Sequence, residues 1–139
     1  MDNFGKCECS VPHRRIVLRE KLSKITFLNN AELPIRKIKI DGCVINNDEI
    51  RCDYVIIREL NEEIYIELKG SDVPHALKQI INTINLISDN VKLIKKLCFV
   101  VTMSCPLTST EIQKQKLFFK NKFNSSLDIK HSHCEFTLS

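Results

Sequence analysis

Three side chains in the stretch Arg51–Lys69, RCDYVIIRELNEEIYIELK, have types and spacing suited to chemistry: Asp53, Glu67 and Lys69. The stretch reads as two β-strands joined by a charged turn, with Asp53 in the first strand and Glu67 and Lys69 at the end of the second. Side chains of a strand alternate faces, so Glu67 and Lys69 share one side while Ile64, Ile66 and Leu68 share the other. Neighbouring strands lie ~4.8 Å apart, close enough for Asp53 and Glu67 to reach one ion. Two carboxylates suit a hard divalent cation, Mg2+ or Mn2+. Such an ion polarises a phosphoryl oxygen and lowers the pKa of a bound water. Lys69, one pleat from Glu67, can orient that water or stabilise developing negative charge. The competing account is an exposed Glu–Lys pair on a strand, which contributes little energetically.

The flanking sequence has to supply the frame. Ser10-Val11-Pro12 reads as a helix start, and Leu18, Leu22 and Ile25 at spacings of four and three predict a helix from about His13 to Leu28. Strands are expected over Ile35–Ile45, with a bulge or turn at Asp41-Gly42, then Ile50–Ile57 and Ile64–Lys69 around a turn at Leu60-Asn61-Glu62. Asp72 as N-cap and Pro74 in the first turn open a helix to about Ser88, whose apolar face is Leu77, Ile80, Ile81, Ile84 and Ile87. The apolar run Leu97–Val101 within Lys96–Met103 suggests a central strand covered on both faces. Thr108-x-x-Glu111 is a capping box for a last helix to about Phe123, and a final strand is expected from Leu127 to about Leu138. The expected fold is α/β, a mixed sheet between helices in the order α-β-β-β-α-β-α-β.

Composition bounds the rest. A chain of 139 residues with 43% apolar and 27% charged side chains fits one soluble domain, residues 1–139. No apolar run approaches the ~20 residues of a membrane span. The start, MDNFGKCECS, lacks the apolar region of a secretory signal, so the expected location is the cytoplasm and the seven cysteines are expected as reduced thiols. Cys43, Cys52 and Cys98 read as small core residues. The net charge of +4 resides in residues 86–139, where eight lysines face four acids. Lys114, Lys116, Lys120 and Lys122 crowd the last helix and could follow a phosphate backbone, although a solvated helix face would look the same.

Asp53 with Glu67-Leu68-Lys69, in that element order, resembles the PD-(D/E)XK nuclease superfamily, the restriction-endonuclease-like fold, over about Ile16 to Phe123. The resemblance implies metal-dependent hydrolysis of nucleic-acid phosphodiesters, DNA being the expected polymer, leaving 5′-phosphate products. It implies Asp53 and Glu67 as metal ligands and Lys69 beside the attacking water. Members often add a first-helix acid, for which Glu20 is the candidate, and a polar residue in the helix after the motif, for which Gln79 is. Cys52 stands where the motif's proline would, and Thr83 where one branch has tyrosine. A core this small is expected to act as a homodimer or as a subunit of a larger complex. The rival is a non-catalytic binding or assembly subunit on the same fold.

Two further sets carry donor atoms. Cys7, Cys9 and His13 near one end and His131, His133 and Cys134 near the other could hold Zn2+ only if folding joined them. His75, at the start of the second helix, could meet a phosphate or assist proton transfer, but is more simply a polar first-turn residue.

Overall fold

The computed structural model describes residues 3–11, 13–58, 62–68, 72–104 and 107–138. Among them the order is a 3-10 turn at Gly5–Cys7, β1 (Glu8–Ser10), β2 (Arg15–Glu20), β3 (Ser23–Leu28), β4 (Arg36–Lys39), β5 (Tyr54–Ile57), β6 (Glu63–Leu68), α1 (Val73–Ile87), β7 (Lys96–Thr102), α2 (Ser109–Phe123), β8 (Ser125–His131) and β9 (Cys134–Thr137). Six strands form a mixed sheet in the order β1-β4-β5-β6-β7-β8, antiparallel up to β6 and parallel from β6 to β8. A second sheet, β2-β3-β9, joins an antiparallel hairpin to a parallel strand. No helix among the described residues is long and apolar enough to cross a membrane.

Alternation along the central strands assigns the two cores. Val55, Ile57, Tyr65, Cys98 and Val100 pack with Ala76, Ile80 and Ile84 of α1 and Phe119 and Phe123 of α2. Ile56, Ile64, Ile66, Phe99 and Val101 face the other way, against Ile16 and Leu18 of β2 and Ile25 and Phe27 of β3. Both helices therefore cover one face of the large sheet, and the small sheet covers the other. The mixed sheet flanked by helices is as expected, with both helices on one of its faces.

The segment expected as a first helix, His13–Leu28, is the β2–β3 hairpin. Its exposure alternates with period two: Ile16 and Leu18 are buried while Arg15, Val17 and Arg19 are open. The segment is rich in β-branched residues, which favour the pleated surface. Leu22, part of the supposed helical stripe, lies in the turn and is 76% exposed, next to Lys21 at φ 51°. Other boundaries also move. The strand expected at Ile35–Ile45 ends at Lys39, and residues 40–45 turn back, with Gly42 at φ 76° and the Ile45 amide donating to the Ile40 carbonyl. The strand expected from Ile50 begins at Tyr54, leaving Asp53 just before it. The final strand is two, β8 and β9, which belong to different sheets. β1 was not expected at all; three residues with two exposed carry too little pattern. Pro12, Leu60, Asn61 and Lys69 lie outside the described residues.

The second and third expected helices form with their caps. The Asp72 carboxylate accepts from the His75 amide at 3.1 Å. Thr108 and Glu111 close a reciprocal capping box, and α2 ends on Asn124 in the left-handed conformation. One cysteine expectation fails: Cys43 is not a free core thiol but is disulfide-bonded to Cys7. Cys52 and Cys98 are buried free thiols as expected.

Candidate functional site

Asp53 is fixed by the backbone around it. Its amide donates to the Ile66 carbonyl at 3.2 Å, and its own carbonyl accepts from the Ile40 amide at 2.9 Å. Its carboxylate Oδ2 accepts from the Leu68 amide at 2.8 Å, so the side chain crosses to the carboxyl end of β6. Glu67, one residue earlier on β6, alternates with Tyr65 toward the helix face and is 2% exposed. Asp53 is 6% exposed, and its interaction with the Glu67 side chain favours the ionised form. The structure thus brings together the two expected ligands; Lys69 lies outside the described residues.

Burial pushes the Asp53 carboxyl up to about 6. The Leu68 amide and the Glu67 side chain oppose the shift, while the charges of Glu20 and Asp41 reinforce it. Glu20 is therefore near, though not on a helix. Ile16, Leu18 and Glu20 share the face of β2 that meets the large sheet. Asp41 pairs with Arg51 Nε at 2.8 Å, and Arg51 also donates to the carbonyls of Asn47 and Glu49.

One face of α1 holds the segment leading into Asp53. Gln79 Nε2 donates to the Arg51 carbonyl at 3.1 Å, Asn82 donates to the Ile50 carbonyl, and the Thr83 hydroxyl accepts from the Cys52 amide at 2.8 Å. Spacings of three and four put these three side chains in one row. Gln79 was expected near the site from the sequence; Asn82 and Thr83 were not. The polar interruption of an otherwise apolar helix face was the signal available for them. Cys52, where the motif's proline would stand, is fully buried, and burial pushes its thiol up, so it is a neutral core group. His75 and Gln79 line a cavity of about 280 Å³ with Asp41 and Arg51.

Other candidates do not join this cluster. Lys114, Lys116, Lys120 and Lys122 lie on α2, whose last turn meets the start of β7 through Lys96, where the Lys96 amine donates to the Phe123 carbonyl at 3.1 Å. The last two lysines are thus at the end of the sheet opposite Glu67. β1 and β8 are the opposite edges of the large sheet, which separates Cys7 and Cys9 from His131, and Cys7 is already committed to Cys43.

The donor chemistry can be weighed against a cation. Among the described residues no group of three or more His, Cys, Asp or Glu side chains is arranged to hold a metal ion. Asp53 and Glu67 nevertheless fit Mg2+ or Mn2+ as a pair. A hard cation takes carboxylate oxygens, and Mg2+ is commonly held by one or two carboxylates with water and substrate phosphate completing its shell. The negative charges of Glu20 and Asp41 acting on Asp53 are the electrostatic situation a cation relieves. No family model, curated protein or solved structure matches the chain.

Proposed function

We propose that this chain is a metal-dependent nuclease of restriction-endonuclease-like fold, hydrolysing phosphodiester bonds, with DNA as the expected polymer. The reading rests on one observation: the buried Asp53, just before β5, sets its carboxylate on the amide of Leu68, the residue after the buried Glu67 on the neighbouring antiparallel strand β6. Their meeting point is the carboxyl end of β6, where the sheet turns parallel, and open α/β sheets bind ligands at such ends. A bound Mg2+ or Mn2+ would supply Lewis acidity and a water of lowered pKa. Asp53 and Glu67 would hold it through their oxygens. Lys69, following Leu68 directly, would stabilise charge on the attacking or transferring oxygens. Gln79, Asn82 and Thr83 act as positioning residues, because they hold the backbone from which Asp53 projects. Glu20 adds negative potential from the side of the small sheet.

The test is cleavage of labelled duplex, single-stranded, branched and RNA substrates with Mg2+ or Mn2+. Wild type is expected to cleave at least one of them. Asp53→Asn and Glu67→Gln are expected to abolish cleavage, and Lys69→Ala to slow it by about a hundredfold. Cleavage that survives Asp53→Asn would exclude this mechanism. A non-catalytic subunit on the same fold is the second reading, and lack of cleavage of every substrate by wild type would favour it. A homodimer, or a place in a larger complex, would supply the second site needed to cut both strands.

A further inference from the structure

We propose that the tip of the β2–β3 hairpin, Arg19–Lys24, is the surface that grips duplex nucleic acid and presents it to Asp53 and Glu67; this rests on the nuclease reading above. Four observations lead there. Glu20 shares the inward face of β2 with Ile16 and Leu18, and the tip is tied through Ser132 to the carboxyl end of β7, beside the end of β6 that carries Glu67. Arg19 and Lys24 are directly opposite each other across the hairpin and point outward. Like charges so placed repel and destabilise a strand pair unless an anion lies between them. Neither they nor Lys21 makes a salt bridge among the described residues. Between them Leu22 is 76% exposed at the apex.

The tip is also held in place. The Ser132 hydroxyl accepts from the Lys24 amide at 3.0 Å and donates to the Leu22 carbonyl at 3.2 Å. The Ser132 amide donates to the Thr102 carbonyl at 3.0 Å, which anchors this turn at the carboxyl end of β7, beside that of β6. Three cations and one apolar side chain are thus presented on a pinned turn at the end of the sheet that carries Glu67. Cations meet phosphates, and an exposed apolar apex meets sugar or base edges; together they match a nucleic-acid duplex. An acidic protein would satisfy the cations equally, and the experiment separates the two.

Binding of a fluorescein-labelled DNA duplex is measured by anisotropy in EDTA over a range of NaCl concentrations, so no cleavage is needed. The triple variant Arg19→Gln, Lys21→Gln, Lys24→Gln is expected to bind at least tenfold more weakly at about 0.1 M salt. The slope of log K against log salt should shrink by about 2 to 3, near one per lost phosphate contact. Leu22→Ala should weaken binding with the slope intact. Thermal melting of the free triple variant should match or exceed wild type, since a repulsive pair is gone; this separates lost contacts from lost folding. Unchanged affinity and slope in the triple variant overturn the proposal. So does wild type that fails to bind duplex, or a slope that collapses only when Lys114, Lys116, Lys120 and Lys122 are replaced. Binding through the tip without any cleavage in Mg2+ or Mn2+ sinks the nuclease reading and leaves the surface standing. Cleavage with unchanged KM in the triple variant does the reverse.

Discussion

Asp53 has two tasks that conflict, and its titration exposes the conflict. Its carboxylate closes the β5–β6 junction through the Leu68 amide, yet it is buried beside other acids. The native carboxyl is pushed up to about 6, above the ordinary aspartate value of about 4. Native Asp53 therefore holds its proton to higher pH than unfolded Asp53 does. The stability this group contributes is full below about pH 4 and is lost as pH rises through about 6. Across that window the loss is about 3 kcal/mol. Asp53→Asn, which keeps an acceptor for Leu68, should flatten this part of a pH–stability curve measured by urea denaturation. Above pH 7, millimolar Mg2+ or Mn2+ should raise the melting temperature of wild type and leave that of Asp53→Asn unmoved, because ligand binding to the native state adds stability. Equal shifts in both proteins would place the cation elsewhere.

Among the elements, the turn at residues 40–45 is tied in from two sides. Cys43 is bonded to Cys7, and Asp41 holds Arg51 next to the cavity that His75 and Gln79 line. The disulfide closes a loop spanning 36 residues of sequence. On chain-entropy grounds such a closure contributes roughly 4 kcal/mol, mainly by restricting the unfolded chain. Dithiothreitol, or Cys7→Ser with Cys43→Ser, should lower the denaturation midpoint by a corresponding amount. Mass spectrometry of the alkylated, unreduced protein should find Cys7 and Cys43 unlabelled. Free, alkylated Cys7 and Cys43 would mean that the expectation of reduced thiols holds for this pair after all.

At the scale of the molecule, the large sheet is covered by helices on one face and by the small sheet on the other. Phe27 of β3 couples the two sheets. It is fully buried, with ring centroids 5.4 Å from Phe99 of β7 and 6.2 Å from Phe136 of β9. Phe27→Ala should cost about 3–5 kcal/mol, since a buried ring is removed and the sheets cannot close the gap fully. Because β2 carries Glu20 toward Asp53, the same substitution should also weaken whatever depends on the hairpin tip. Denaturation midpoints and duplex affinity, measured on one preparation, should fall together; a stability loss without an affinity loss would uncouple the small sheet from the tip.

Local chemistry was legible in the chain. Asp72 and Thr108 caps, the apolar face of α1 and the continuous run of β7 appear where the residues place them, because caps and periodic faces are properties of neighbouring residues. The pairing of Asp53 with Glu67 was legible too, since a hairpin of adjacent strands brings them close whatever covers the sheet. Arg15–Leu28 was not. Its leucines fit a helical stripe as well as an alternating strand, and the choice fell to the face of the large sheet that the helices leave uncovered, where Phe99 and Val101 meet a partner sheet. Cys7 and Cys43 likewise pair only because β1 joins β4, a contact across 26 to 30 residues that no local pattern announces. Residue types and short spacings fixed the caps, the central strands and the acid pair; long-range packing alone decided which face each layer covers and that Glu20 reaches Asp53 from a hairpin.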